Sequence, residues 1–232
     1  MYHLRKCCKN LRFIIRLLNT PSQRKHVLKW VKTNREDRFL KQKIPWITFD
    51  AIDYLNTLPL QSKIVFEWGS GGSTLFWLNK GANVVSIEHD RQWYDKMKLI
   101  LPKTANIDYK LIEPEAVHKA ELYSTDASDP NGYISSNSKE WMYKNYVSII
   151  DQFENDYFDI ILIDGRARPS CIKHAVKKIK EGGILILDNS DRDYYLSKTD
   201  KYVSEFKKKT YIGAVPLVPQ FSETTIYQNI SK

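Results

Sequence analysis

Five short apolar runs, at residues 63–67, 83–88, 107–112, 158–163 and 184–187, recur through the centre of this chain, with helical segments between most of them. Strands that alternate with helices over this length close most readily as parallel crossovers. The pattern therefore predicts an α/β fold, a Rossmann-like, doubly wound, mostly parallel sheet with helices on both faces. Two further β-rich runs, 210–218 and 224–228, are separated by turn formers including Pro216 and Pro219, and are expected to close the sheet as a C-terminal antiparallel strand pair. A chain of 232 residues accommodates one such core and a short extension, but not two full domains. Ligand sites in these sheets lie beyond the carboxyl ends of the strands, so those ends carry the functional information.

Charge divides the chain. Residues 1–43 carry 13 Lys or Arg against Glu36 and Asp37, a net +11, while the remaining 189 residues hold 23 against 25 acidic residues, a net −2. The overall +9 thus belongs to an N-terminal helical extension, and residues 44–232 form a core domain that is not basic. This argues against a nucleic-acid partner, which calls for cations spread over a binding face with aromatic side chains between them. Cys7, Cys8 and Cys171 are an odd set without metal-ligand spacing, as expected for a reducing, cytoplasmic setting.

Within the extension, Leu4, Cys7, Cys8, Leu11, Ile14, Ile15 and Leu18 recur at helical spacing, opposite Arg5, Lys6, Lys9, Arg12 and Arg16. Such a basic amphipathic helix either lies on an anionic membrane surface, making the protein peripheral to the inner face of a membrane, or packs its stripe on the domain or on a second subunit of a homodimer. Arg12 and Arg16 interrupt the apolar stretch, and no cleavage site precedes Pro21, so it is not read as a signal peptide. A second basic helical stretch spans 22–33, and Thr48 is expected to cap a helix reaching residue 58.

The first strand runs into Glu67-Trp68-Gly69-Ser70-Gly71-Gly72-Ser73-Thr74, where glycines allow a tight turn beneath a nucleotide-like ligand and a helix begins near Ser73. Thr74 stands where a dinucleotide fingerprint has its third glycine, and Glu67 would repel a pyrophosphate. A phosphate-free cation, such as the sulfonium and ammonium of S-adenosylmethionine (SAM), suits that carboxylate better. Glu88 ends the next strand 21 residues after Glu67, placed to accept hydrogen bonds from a ribose diol, with His89 beside it.

The segments Glu67 to Thr74, Ser86-Ile87-Glu88-His89-Asp90 and Asp159 to Gly165 resemble the first, second and fourth motifs of the class I SAM-dependent methyltransferases. The resemblance runs from about Pro45 to the C-terminus. It implies an enzyme, a transferase that uses SAM as methyl donor, with Glu67, Gly69, Ser70, Gly71, Gly72, Ser73, Thr74, Glu88, His89 and Asp164 at the cofactor. At the third strand, where such enzymes often contact adenine, this chain offers only Glu113 or backbone groups.

Two later strands end at Asp164 and at Asp188-Asn189. Two carboxylates and an amide oxygen supply three hard ligands for Mg²⁺, and the set is similar to that of the catechol and caffeoyl-CoA O-methyltransferases, which implies metal-assisted methylation of a hydroxyl. Those enzymes place a lysine after the first aspartate, whereas Arg166 and Arg168 follow here, and an arginine does not serve as a base. Arg166, Arg168 and Arg192 are therefore expected to hold an anionic acceptor, with metal or Asp191 assisting deprotonation; the candidate catalytic set is Asp164, Arg166, Asp188 and Asp191. The alternative is a structural ion network among the same aspartates and arginines.

Residues 113–138 form a long polar insertion around Asp129-Pro130-Asn131-Gly132, either a lid that shapes an acceptor pocket or a surface loop, and 139–152 is expected to be helical. The leading functional reading is O-methylation of a small molecule or glycan. The competing one is a non-catalytic SAM-binding or Rossmann-type module docked to a membrane or protein partner.

Overall fold

The computed structural model describes residues 2–117, 124–138 and 140–230, with side chains from residue 7 onward. A seven-stranded sheet runs in the order β3 (Ile107–Leu111), β2 (Asn83–Glu88), β1 (Ile64–Trp68), β6 (Phe158–Ile163), β7 (Ile179–Asp188), β9 (Phe221–Gln228), β8 (Lys207–Ala214). The first five are mutually parallel, and β9 and β8 close the edge as an antiparallel pair, as expected. From β1 the chain winds outward to β3, then returns to place β6 on the other side of β1, which makes the β1/β6 junction the switch point.

The strands at the centre are apolar on both faces because both are covered. Along β6, Ile160 and Leu162 enter one core cluster, while Ile161 and Ile163 enter the other. The first cluster lies under α4 (Phe49–Asn56) and α5 (Gly72–Asn79), and the second under α7 (Lys144–Ser148) and α8 (Arg168–Ala175).

The basic extension shares this core. Phe13 and Leu17 of α1 (Tyr2–Asn19) and Trp30 of α2 (Val27–Thr33) are buried in the same cluster as Val65 and Leu162. Trp30 donates its indole Nε1–H to the Val218 carbonyl at 3.1 Å, and Gln23 bonds both Asp50 and the Ala214 amide. The boundary at residue 43 thus marks a change of charge and not of packing.

The stripe read from the sequence is not the face that docks. Leu11, Ile15 and Leu18 are 60%, 50% and 49% exposed, Cys7 and Cys8 are exposed, and Ile14 is half-buried. The docked face is Phe13 and Leu17, which the longer stripe obscured; the side chains of Leu4, Arg5 and Lys6 lie outside the described residues.

Other boundaries shift for local reasons. Thr48 does precede α4, but its hydroxyl makes no cap bond, its amide donates to Thr224 Oγ1 at 3.1 Å, and the helix ends at Asn56. In the stretch expected to be one helix, Lys139 lies outside the described residues, β5 (Trp141–Met142) pairs with β4 (Glu115–Ala116), and helix starts only at Lys144. Within the insertion, 118–123 lie outside the described residues. Among the described residues no helix is long and apolar enough to cross a membrane.

Candidate active site

A cavity of about 670 Å³ opens at the carboxyl ends of β1, β2, β6 and β7, within the range of a nucleoside-sized ligand. Its floor on one side is the loop Gly69 to Ser73, between β1 and α5. Gly69 takes a φ of 92°, and a Cβ there would lie 3.0 Å from the Asp164 carbonyl oxygen, so glycine lets this loop cross the end of β6. A Cβ on Gly72 would overlap the Ile44 carbonyl and the Phe39 ring. That glycine admits the chain arriving from the extension, whose Glu36 and Phe39 in α3 (Glu36–Gln42) line the cavity mouth.

Glu88 lines the cavity at the end of β2, only 2% exposed. Ser70 donates to its Oε2 from the amide at 3.1 Å and from the hydroxyl at 2.7 Å, and the His89 and Asp90 amides donate to Oε1 at 2.8 and 3.0 Å. Burial opposes its ionisation, but these donors and the adjacent His89 outweigh it and hold the carboxyl below its ordinary value. His89 also lines the cavity. Its Nε2 accepts from Arg166 Nε at 3.1 Å, and its Nδ1 lies 3.0 Å from Glu88 Oε1.

Glu67 and Thr74 correct the sequence reading, because neither reaches the cavity. Strand alternation turns Glu67 to the same face as Val65, and its side chain is fully buried. It accepts hydrogen bonds from Thr74 Oγ1, from Trp77 Nε1 at 3.2 Å and from Ser86 Oγ at 2.8 Å. Burial pushes its carboxyl up to about 7 despite these bonds. Thr74 in turn accepts the Gly71 amide at 3.0 Å, capping α5. The two lie beneath the loop and hold its shape.

Trp93, absent from the sequence reading, lines the cavity beside Gly71 and donates its indole N–H to the Ser70 carbonyl at 2.9 Å. The clue available was its place three residues after Asp90, whose side chain caps α6 (Arg91–Ile100) by accepting the Trp93 amide. Glu113 pairs with Arg91 and does not line the cavity.

Asp164 and Asp188 meet at the far wall, with Arg168 between them. The Arg168 guanidinium donates to Asp164 Oδ1 at 2.9 Å and to the Asp188 carbonyl, and stands 3.9 Å from Asp188 Oδ2. Burial raises the Asp164 carboxyl to about 6 against the pull of Arg168; burial and the charge of Asp164 raise Asp188 well above the ordinary range. The two carboxyls are neighbours that oppose each other's ionisation, so the pair as a whole releases its protons less readily than free aspartates.

This arrangement does not fit the divalent metal expected at Asp164, Asp188 and Asn189. The Arg168 guanidinium already supplies a fixed cation to both aspartates, and the Thr224 hydroxyl donates to Asp188 Oδ1 at 2.9 Å; Asn189 lines the cavity, with its amide nitrogen bonded to Ser222 Oγ at 3.1 Å. A Mg²⁺ ion there would meet the full repulsion of a buried guanidinium. Asp191 is corrected as well: it accepts from Ser222 Oγ and the Glu223 amide at the start of β9 and does not line the cavity.

Arg166 and Arg192 do line it. Arg166 donates to His89 Nε2 and Asn137 Oδ1, and Arg192 donates to the Tyr195 hydroxyl at 2.7 Å. Among the described residues neither has a carboxylate partner. The cavity is thus lined both by carboxyl groups, Glu88, Asp164 and Asp188, and by Arg166, Arg168 and Arg192.

The sequence matches no family model and no curated protein. Solved structures do resemble it. A Klebsiella pneumoniae protein assigned as an O-methyltransferase aligns with a TM-score of 0.54 at 15% identity, covering 84% of this chain and 89% of that one. An O-methyltransferase from Bacillus cereus, in complex with S-adenosylhomocysteine (SAH), aligns at 0.52 and 14% identity, covering 83% and 89%. Spermidine synthase from Thermotoga maritima aligns at 0.47 and 15% identity over 74% of this chain, which spans 56% of that longer protein. At these identities the likeness is one of architecture: the chain shares the Rossmann-like fold of these solved O-methyltransferase structures.

Proposed function

We propose that the protein is a SAM-dependent methyltransferase that methylates a hydroxyl of a small molecule or glycan bearing an anionic group, without a divalent metal. The observation that carries this reading is a single cavity lined both by Glu88, bonded to Ser70, and by two arginines that have no carboxylate partner among the described residues, Arg166 and Arg192. SAM supplies an electrophilic methyl group. Glu88 receives the ribose hydroxyls, and the loop from Gly69 to Ser73 lets the donor approach the backbone closely. Arg166 and Arg192 orient the acceptor by charge-assisted hydrogen bonds to its carboxylate or phosphate. Asp164, ionised at neutral pH with a carboxyl near 6, takes the acceptor's hydroxyl proton as its oxygen forms the bond to the methyl carbon and the carbon–sulfur bond breaks. Arg168 favours the ionised form of Asp164 beside Asp188.

Calorimetric titration with SAM and SAH tests the donor half. Saturable binding is expected, unchanged by EDTA and lost in Glu88→Ala; no heat from either ligand with folded protein refutes it. For the acceptor half, Arg192→Ala should retain SAM binding while losing turnover of anionic acceptors in a methyl-transfer screen.

A further inference from the structure

Helix α1 uses one side to hold the domain and leaves another apolar side in solvent. Phe13 and Leu17 are buried in the core, while Leu11, Ile15 and Leu18, about one turn apart along the helix, are each about half exposed or more. Cys7 and Cys8 extend that strip toward the N-terminus. The following helix, α2, contacts α1 and has exposed apolar residues of its own, Leu28 and Val31, 73% and 37% exposed. An apolar strip of this kind is not needed for folding, since the docked face already anchors the helix.

The charge around it identifies what it faces. Lys9 and Arg12 on α1 and Lys32 on α2 are exposed and, among the described residues, have no carboxylate partner. Residues 1–43 carry a net +11 against −2 for the rest. A second copy of the chain would bring two such cationic surfaces together, against their mutual repulsion. A surface with fixed negative charge and an apolar interior satisfies both the cations and the strip.

We propose that α1 seats the protein on an anionic lipid bilayer, with Leu11, Ile15 and Leu18 entering the acyl boundary, Arg12 flanking them at the headgroups, and the remaining cations of the extension adding longer-range attraction. The helix is amphipathic on two sides, one for the domain and one for the membrane, and adsorption follows from buried apolar area together with electrostatic attraction. This does not depend on the proposed methyl transfer.

Flotation of the full chain with phosphatidylcholine vesicles, with and without phosphatidylserine, tests it, together with sedimentation velocity in the absence of lipid. The wild type should float only with phosphatidylserine and be released by salt. The triple variant Leu11→Ser, Ile15→Ser, Leu18→Ser, at exposed positions and with its thermal melt as a folding control, should bind about a hundredfold more weakly. Equal flotation of wild type and triple variant overturns the proposal, as does failure of the wild type to float. A dimer that the triple variant dissociates overturns it too, and makes a second copy the occupant.

Discussion

Arg168→Met removes the guanidinium between Asp164 and Asp188 while keeping most of the aliphatic stem. The side chains concerned are 8%, 24% and 4% exposed, so water replaces little of the lost interaction. Breaking a buried ion pair by deleting one partner costs about 3–5 kcal/mol, because the remaining charge stays buried. Here the remaining charge can be discharged by protonation, which gives the prediction a pH signature. In the wild type the Asp164 carboxyl stands near 6, above its unfolded value, so the folded state binds the extra proton. Its stability is greatest below the unfolded value and falls as pH rises through about 6. Without Arg168 both carboxyls rise further, and the loss continues to higher pH. Urea denaturation followed by tryptophan fluorescence should show a deficit of about 3–5 kcal/mol near pH 8, shrinking clearly near pH 5. A deficit below about 1 kcal/mol near pH 8, or the same deficit at both pH values, would refute the account of Arg168 as the fixed cation of this pair. Stabilisation of the wild type by Mg²⁺ would do the same for the exclusion of metal.

Glu67, fully buried with its carboxyl near 7, should make wild-type stability fall by roughly 3 kcal/mol between about pH 4.5 and 7, a slope missing in Glu67→Gln; parallel pH profiles would show that Glu67 is charged throughout. Gly72→Ala drives a Cβ into the Ile44 carbonyl and the Phe39 ring, and is expected to lower stability by about 1–3 kcal/mol in chemical denaturation; an unchanged midpoint would mean that the extension packs elsewhere in solution. Thiol titration should label Cys7 and Cys8 quickly in the folded protein and Cys171 only after unfolding, since burial raises its pKa well above the ordinary thiol value; rapid labelling of all three contradicts the packing of α8.

The alternation of apolar runs determined the parallel sheet, because a strand covered on both faces must be apolar on both faces, and Ile160 to Ile163 show this without any neighbour being known. The same holds for the glycine loop and for Glu88, where a strand end followed by a tight turn leaves few conformations open. The sequence also determined that the positive charge belongs to residues 1–43. What it left undecided are relations between separate segments. Glu67 has the composition of a ligand-facing carboxylate, but the pleat turns it toward Trp77 and Ser86, and only the packed α5 shows that it is enclosed. Asp164, Arg168 and Asp188 read equally as a metal site or as an ion network until the crossover brings β6 and β7 side by side with Arg168 rooted between them. Helix α1 has more apolar residues than one interface uses, and which of them dock depends on the sheet face that Phe13 and Leu17 meet. Periodicity and turn chemistry act within a few residues and are written locally, whereas burial and pairing are set by whatever distant chain arrives alongside, and that is decided only when the fold closes.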